Sequence, residues 1–300
     1  MLKLQSIKKI RFILTDFCNY QCKFCHNEGF KTKNSVYLDL NSILTLTKIA
    51  KKMCIKKITL TGGEPLLHKE ILDIVKGIKK IYPDVLLGMS TNGMGFNENN
   101  FLTTIKYIDR LRINCQSLDD ETCKFICGPA ANVNKIIWIV ENAKKENPSL
   151  NICLNFVLTI YNQDSLEDLI KYAIKNQIDV KVLEYKNIDK HLYVNIDLAK
   201  KVLRSLHPIK EEADYQDDDI YTFKNSKSRI RLCYSFCNTL KCESCRACGE
   251  LRITPDLKFK HCFDDKIEEF DVSADLAKED SEAIEKLIIK IDKIKGKILV

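Results

Sequence analysis

The stretch RFILTDFCNYQCKFC (residues 11–25) decides the fold, because an apolar run leads directly into three closely spaced cysteines. Cys18, Cys22 and Cys25 follow the spacing C-x3-C-x2-C, and the run before them is the first candidate strand. In parallel α/β folds, ligands bind in the loops that follow the carboxyl ends of the strands. The sequence therefore predicts a thiol site at this edge of a parallel sheet.

Short apolar runs alternate with amphipathic helical segments through about the first two thirds of the chain, which is typical of βα units. The six candidate strands lie at residues 10–14, 57–60, 85–89, 111–115, 152–158 and 180–184. Helical spacing of apolar residues marks the segments 40–44, 71–78, 166–173 and 284–294. Because a closed TIM barrel needs eight units, we predict an α/β fold with a partial (β/α)6 TIM-type barrel.

The chain changes character near residue 210. The acidic stretch 211–223 lacks helical spacing, and we interpret it as a linker before the cysteine-dense region 233–262. We therefore predict a barrel domain over residues 1–210. A small iron-sulfur module with a terminal helix would occupy residues 211–300.

The number and clustering of the cysteines indicate a cellular compartment and a kind of chemistry. The chain has 14 cysteines and no apolar export signal, so a disulfide framework is not expected in a reducing cytoplasm. Clustered thiols in that setting usually bind metal.

No run of residues is apolar enough for a membrane helix. The formal charge of +7 comes from lysines scattered among acids, so we favour a solvated surface over nucleic-acid binding, which is the alternative.

The three N-terminal thiols suit an iron-sulfur cluster that is left open at one corner. Three thiolates bind three irons of a 4Fe-4S cluster, so the fourth iron is free to bind a small molecule. The alternative is zinc, which takes four tetrahedral ligands, and His26 is the nearest fourth candidate.

The motif C-x3-C-x2-C, with the aromatic Phe24 before its last cysteine, resembles the signature of the radical S-adenosylmethionine (SAM) superfamily. The resemblance implies that SAM chelates the open iron, that one electron cleaves it, and that the resulting 5'-deoxyadenosyl radical abstracts a hydrogen atom. It also implies contacts with SAM from the GGEP segment after the second strand, with Glu64 accepting from the methionine amine, and from the STNG segment after the third strand. The implied SAM-binding residues are Phe24, Gly62, Gly63, Glu64, Ser90, Asn92 and Ser117.

The region 233–262 contains six thiols, and the last three follow the spacing C-x2-C-x13-C around a predicted strand, turn and strand. This module and most of the chain resemble the GTP 3',8-cyclase family of molybdenum-cofactor biosynthesis. The resemblance implies a second 4Fe-4S cluster bound by Cys245, Cys248 and Cys262; a zinc knuckle is the alternative. Cys242 continues the cysteine run upstream, so we predict that it is the fourth ligand and closes this cluster.

The resemblance also implies cations for the triphosphate of the substrate, and these are kept only in part. Arg11, Lys57, Lys181 and Arg252 are retained in kind. Thr59, Cys153 and Glu250 stand where the family has cations, and an acid facing a polyanion is repulsive.

Three functional hypotheses follow. The first is a radical SAM enzyme whose substrate has diverged to another nucleotide or a ribosomal peptide. The second is a GTP 3',8-cyclase, and the third is a zinc-binding interaction protein. Either enzyme would need an electron donor such as flavodoxin or ferredoxin. The isolated cysteines are interpreted as small buried hydrophobic residues: Cys54, Cys115, Cys123, Cys127 and Cys153.

Overall fold

The computed structural model describes residues 4–25, 36–185, 190–213, 218–234, 249–262 and 267–297. Within these ranges, twelve strands form one sheet in the order β12-β11-β10-β1-β2-β3-β4-β5-β6-β9-β8-β7. They are β1 (Lys9–Ile13), β2 (Lys57–Thr61), β3 (Leu86–Thr91), β4 (Arg110–Asn114), β5 (Asn151–Leu158), β6 (Asp179–Glu184), β7 (Lys210–Ala213), β8 (Asp219–Thr222), β9 (Arg229–Cys233), β10 (Glu250–Ile253), β11 (Lys258–Lys260) and β12 (Phe270–Asp271).

The helices follow the strands in the βα order that the sequence predicts. They are α1 (Leu40–Lys52), α2 (Ile71–Ile81), α3 (Glu98–Ile105), α4 (Asp120–Cys127), α5 (Val133–Glu146), α6 (Leu166–Lys175), α7 (Asp197–Ser205), α8 (Ser273–Ala277) and α9 (Ser281–Lys297). One or two helices separate each of the first six strands from the strand that follows it in sequence. The predicted partial barrel is therefore confirmed, and so is the terminal helix, which corresponds to α9.

The middle of the sheet is parallel from β10 through β1–β6 to β9. Strand residues alternate between two faces. One face, which includes Ile10, Phe12, Ile58 and Leu60, is fully buried in the hydrophobic core. The other face carries polar and charged residues, among them Arg11 and Thr59, and it is the face on which a substrate can lie.

The six predicted strands are confirmed to within two residues, but the linker interpretation of 211–223 is wrong. Part of this acidic stretch forms β7 and β8, which pair antiparallel with each other, and β8 pairs antiparallel with β9 at the sheet edge. Arg204 on α7 forms an ion pair with Glu211, and Tyr221 is fully buried. The sequence did not predict β7 and β8 because strands near a sheet edge tolerate charged side chains, which interrupt the alternation of apolar and polar residues. The division into two domains at residue 210 stays a prediction, since strands on both sides of that residue belong to one sheet.

The C-terminal helix holds the segment before β1 in place through one buried carboxylate. Asp292 on α9 is 6% exposed and accepts hydrogen bonds from the backbone N–H groups of Gln5, Ser6 and Ile7 at 2.9, 2.8 and 2.6 Å. Lys295, one turn further on, donates to the carbonyl of His261 at 2.9 Å. The helix therefore connects the start of β1 with the residue that precedes Cys262.

We predict that Asp292→Asn lowers the free energy of unfolding by about 2 kcal/mol, because an amide cannot accept three hydrogen bonds as a carboxylate does. The measurement is the thermal unfolding midpoint of the full chain under anaerobic conditions. Glu282→Gln, on the exposed face of the same helix, is the matched control and should unfold as the parent does. Equal midpoints for Asp292→Asn and the control would contradict the role given to Asp292.

Candidate functional site

The cysteine loop lies at the carboxyl edge of the sheet, directly after β1. The thiols of Cys18 and Cys22 are half-buried and that of Cys25 is exposed. The backbone N–H groups of Gln21 and Lys23 donate to the carbonyls of Cys127 and Ile126 at 2.9 and 3.0 Å. The loop is thus held against the last turn of α4.

Hydrogen-bond donors lie close to the thiols of Cys18 and Cys22. The Tyr20 backbone N–H and the Asn92 side-chain amide lie 3.4 and 3.6 Å from Cys18 Sγ. The Asn114 side-chain amide lies 3.9 Å from Cys22 Sγ. Donors of this kind are typical of iron-sulfur sites, where hydrogen bonds to sulfur tune the reduction potential.

The electrostatics of the loop also suit a cationic cluster. Burial raises the pKa of Cys18 to about 11; the Tyr20 N–H lowers it, and the charges of Glu64, Cys22 and Cys25 raise it further. Iron binding would offset this cost by neutralising the thiolates. In the parts of the chain that the structure describes, no three His, Cys, Asp or Glu side chains converge as ligands of one metal ion. A 4Fe-4S cluster has a wider ligand set, since each thiolate binds a different iron.

The GGEP segment is fixed against the backbone that precedes Cys18. The N–H groups of Gly63 and Glu64 donate to the carbonyls of Thr15 and Phe17 at 2.7 and 2.8 Å. A Cβ atom on Gly63 would lie 2.0 Å from the carbonyl oxygen of Phe17. Glycine is therefore required there for steric reasons alone, and the two loops form one continuous surface.

Glu64 joins the GGEP segment to the STNG segment. Its side chain is fully buried, and its carboxylate accepts from the Leu66 N–H at 3.0 Å, the Thr91 hydroxyl and the Asn92 N–H at 2.6 Å. Burial raises the pKa of Glu64 to about 7, although these three hydrogen bonds lower it. The contacts of Glu64 in this structure are with the two loops, so it positions them.

Asn92 links the cysteine loop with the loop after β3. Its side-chain amide donates to Asn19 Oδ1 at 2.8 Å, and its backbone is held by Glu64. Ser90 is half-buried on the neighbouring part of β3. Ser117 is buried, donates to Ser165 Oγ at 3.0 Å and accepts from the Asp119 N–H at 2.9 Å. The structure therefore brings Glu64 and Asn92 to the cysteine loop, whereas the contacts of Ser117 are with residues near the start of α4 and α6.

Phe24 is partly buried and packs against the hydrophobic core. Its aromatic ring therefore helps to fix the cysteine loop as well as the position of Cys25.

Cys127 was interpreted from the sequence as an isolated buried residue, and the structure places it beside the cysteine loop. The Asn114 amide lies 3.6 Å from Cys127 Sγ, and hydrogen bonds with Cys123 and Cys22, together with burial, raise the pKa of Cys127. In the sequence, only the four-residue spacing of Cys123 and Cys127 could have predicted that these two thiols lie close together on one helix face. Cys54 is exposed, so its interpretation as a buried residue is wrong.

Glu250 is paired with cations. Arg11 donates to both oxygens of Glu250 at 2.9 and 3.1 Å, Arg252 lies 2.8 Å away and Lys9 lies 3.7 Å away. Burial alone would raise the pKa of Glu250, but the charges of Arg11, Arg252 and Lys9 hold it well below its usual range. The expected repulsion between this acid and a substrate anion is therefore neutralised within the protein.

Sequence reasoning missed Arg110, Arg112 and Arg231, which share the polar face of the sheet. Burial lowers the pKa of Arg112, Cys153 and Glu250 raise it, and Arg11 and Arg110 lower it. The apolar face of the sheet packs in the hydrophobic core with the helices, as in other (β/α) barrels, so the polar face lies on the inner, concave side. The alternation of apolar and polar residues along LRIN (111–114) and RIRLC (229–233) could have predicted that these arginines share the polar face.

The C-terminal module is described only in part. Cys262 is half-buried after β11, next to His261, whose ring nitrogens have no hydrogen-bond partner in the described ranges. Burial lowers the pKa of His261 to about 4, so the ring is neutral near pH 7. The proposed ligands Cys242, Cys245 and Cys248 lie outside the described residues, as do Cys237 and His26.

These features define a class of proteins, in which a cysteine loop follows the first strand of a partial barrel and a glycine segment follows the second. The Radical SAM superfamily model matches residues 12–173, more than half of the chain, and the chain belongs to that superfamily. It is therefore an enzyme of the radical SAM class. The predicted resemblance is confirmed, and the hypothesis of a non-enzymatic zinc-binding protein is wrong.

The chain is also similar to particular relatives. It is 28% identical over 270 residues to a probable GTP 3',8-cyclase of Saccharolobus islandicus, covering 86% of this chain and 83% of the relative. It is 27% identical over 272 residues to the GTP 3',8-cyclase of Clostridium perfringens, covering 86% and 81%. SuiB of Streptococcus suis, solved with S-adenosylmethionine, matches with a TM-score of 0.65 at 15% identity, covering 87% of this chain. This chain spans 61% of the SuiB chain, and the likeness shows the fold alone.

Membership in the superfamily implies a 4Fe-4S cluster and SAM, and the donor set of the cysteine loop fits them. When bound, they supply a carbon radical that removes a hydrogen atom from a substrate. None of the helices described is long and apolar enough to cross a membrane.

We predict that Gly63→Ala weakens SAM binding by on the order of tenfold or more, because the new Cβ forces the GGEP segment away from Phe17. The measurement is the dissociation constant of SAM on the anaerobically reconstituted protein. Gly88→Ala on β3 is the matched control, since its Cβ would have no neighbour closer than 3.7 Å. Unchanged SAM affinity in Gly63→Ala would contradict the role of this close approach.

Proposed function

We propose that this enzyme binds its radical-generating cluster through Cys18, Cys22 and Cys25 and abstracts hydrogen from a phosphate-bearing nucleotide on the concave face of the sheet. The observation that carries the proposal is the position of the cysteine loop, at the edge of a concave face rich in cations. Arg11, Lys57, Lys181 and Arg252 belong to that face. Anionic groups of a substrate would be attracted to it at close range.

The residues around the cluster would bind and orient SAM. Gly62 and Gly63 offer a surface without side chains, and Glu64 holds this surface against the loop that contains Asn92. Phe24 and Ser90 border the same region, and Ser117 supports the loop after β4. These side chains would fix the position of the cofactor and limit the access of water to it.

Two observations bear on the substrate. The cations favour a nucleotide over a ribosomal peptide, although SuiB, of the same fold, has also been solved with its precursor peptide SuiA. Similarity to GTP 3',8-cyclases over most of the chain makes GTP the first nucleotide to test. GTP 3',8-cyclisation itself is the second candidate function, because Thr59, Cys153 and Glu250 replace cations expected for that family.

A second cluster bound by Cys245, Cys248 and Cys262, and closed by Cys242, is part of the proposal. The proposal also includes two modules at residues 1–210 and 211–300, an electron donor such as flavodoxin or ferredoxin, and a cytoplasmic location. A closed second cluster could relay electrons or tune potential, but it could not bind the substrate through iron.

We predict that the reconstituted protein carries about eight irons and cleaves SAM when reduced by dithionite. Cys22→Ala should abolish cleavage, because the first cluster loses one of its three thiolates. Cys54→Ala removes an exposed thiol elsewhere and should keep full cleavage. Cleavage of SAM by Cys22→Ala at the parent rate would exclude this thiol from the mechanism.

We predict separately that Cys262→Ser lowers the iron content by about four while SAM cleavage persists, because only the second cluster is lost. Cys242→Ser should change the Mössbauer spectrum of the second cluster, with Cys54→Ser as the control. An unaltered second cluster in both Cys242→Ser and Cys237→Ser, with a water- or substrate-bound iron in the parent, would show that the cluster is open.

A further inference from the structure

Three thiols lie together where the cysteine loop meets α4: Cys22 of the loop, and Cys123 and Cys127 on the helix. Cys123 and Cys127 are one helical turn apart, and both are buried. The Asn114 side-chain amide lies 3.9 Å from Cys22 Sγ and 3.6 Å from Cys127 Sγ. A side-chain hydrogen bond also joins Cys22 and Cys127 directly. Neither Cys123 nor Cys127 has a role in the proposed function.

The backbone holds Cys22 beside Cys127. The N–H groups of Gln21 and Lys23 donate to the carbonyls of Cys127 and Ile126 at 2.9 and 3.0 Å, so hydrogen bonds flank Cys22 on both sides. A disulfide requires α-carbons that are about 4.4–6.8 Å apart, and chain segments joined by backbone hydrogen bonds lie at about this spacing. The two thiols could therefore be joined while the loop stays packed on α4.

The two thiols differ in their exposure to an oxidant. Cys22 is half-buried, whereas Cys127 is fully buried at the end of α4. A reagent from solvent would thus reach Cys22 first, and only while Cys22 is not bound to iron. Oxidation beyond the sulfenic acid destroys a thiol, unless a neighbouring thiol condenses with the sulfenic acid before that happens. Cys127 is placed to be that neighbour.

We propose that Cys127 is a reserve thiol, which forms a disulfide with Cys22 when the protein lacks its cluster and meets a peroxide. Hydrogen peroxide transfers one oxygen atom to Cys22 Sγ, which gives the sulfenic acid and one water. Cys127 Sγ then attacks Cys22 Sγ; the S–S bond forms, and the S–O bond breaks with release of a second water. Two thiols are thereby oxidised by two electrons, and one peroxide is reduced to two waters. The inference rests on the proposed role of Cys22 as a cluster ligand.

The disulfide would keep Cys22 in a form from which it can be recovered. A dithiol reductant cleaves the disulfide by exchange and returns both thiols, so that the cluster can be assembled again. Disulfides in reducing compartments are usually transient ones of this kind. While the disulfide lasts, one of the three thiolates is withheld from iron, so the first cluster is not assembled on an oxidised loop.

Two other thiols could compete in this pairing. Cys25 follows Cys22 at the spacing C-x2-C, but Cys25 is exposed, whereas the Cys22 thiol contacts Asn114 and Cys127 on the buried side of the loop. Cys123 lies four residues before Cys127. On a helix this spacing separates the β-carbons by about 5–6 Å, and a disulfide needs about 3.5–4.5 Å. The geometry therefore favours the pair of Cys22 and Cys127.

The test maps disulfides in the cluster-free, full-length protein after treatment with hydrogen peroxide. Free thiols are alkylated, the chain is digested without reductant, and cross-linked peptides are identified by mass spectrometry. A cross-link between Cys22 and Cys127 should dominate. In Cys127→Ala it should be absent, and Cys22 should accumulate severalfold more sulfinic and sulfonic acid than in the parent. Cys123→Ala is the matched control, because it removes a buried thiol from the same helix and should keep the cross-link.

Iron uptake gives a second readout. Before peroxide, the parent, Cys127→Ala and Cys127→Ser should take up iron equally, which excludes a folding defect. After peroxide and then dithiothreitol, both variants should bind about four irons fewer than the parent, because the first cluster cannot form without Cys22. A dominant Cys22–Cys25 or Cys123–Cys127 cross-link, or equal recovery in parent and variants, would overturn the proposal. A Cys22–Cys127 cross-link that leaves iron uptake intact would support the pairing but refute Cys22 as a ligand, so the two failures are distinguishable.

Discussion

The arrangement of the site depends on backbone hydrogen bonds that continue past the ends of β1 and β2. Leu14 donates to the carbonyl of Thr61, and the N–H groups of Gly63 and Glu64 then donate to the carbonyls of Thr15 and Phe17. The cysteine loop and the glycine segment are thereby aligned by the same pairing that aligns the strands. Because the contact excludes even one methyl group at Gly63, its geometry has little freedom.

The concave face combines two ways of accommodating buried charge. On one wall, Glu250 satisfies Arg11 and Arg252 within the chain, which fixes their side chains. On the other side of the same face, Arg112 forms no ion pair with a carboxylate among the described residues, and burial lowers its pKa. Groups that violate the usual rule of pairing are found most often where a protein binds something, because the ligand completes them.

Much of the architecture could be predicted from the sequence because strand alternation and helical spacing are local signals. The strands around Ile10, Ile58 and Leu111 were identifiable from apolar runs alone. β7 and β8 were not, because acidic residues interrupt their apolar pattern, and the edge strand β7 keeps Glu211 and Glu212 exposed. The cysteine loop was identifiable from spacing, but the position of Cys127 against Cys22 depends on how α4 packs. The pairing of Glu250 likewise depends on β10 joining β1, which no local pattern encodes.

The position of β1 has a consequence for how the chain matures. One edge of β1 pairs with β2, which follows soon after it, but the other edge pairs with β10, about 240 residues later. During translation the cysteine loop therefore emerges with its strand unpaired on one side until β10 has been made. Non-local pairing of this kind slows folding and exposes strand edges to misassembly. Insertion of iron and sulfide before β10 has docked would act on a half-formed sheet, so cluster assembly is favoured once β10 has been translated and paired with β1.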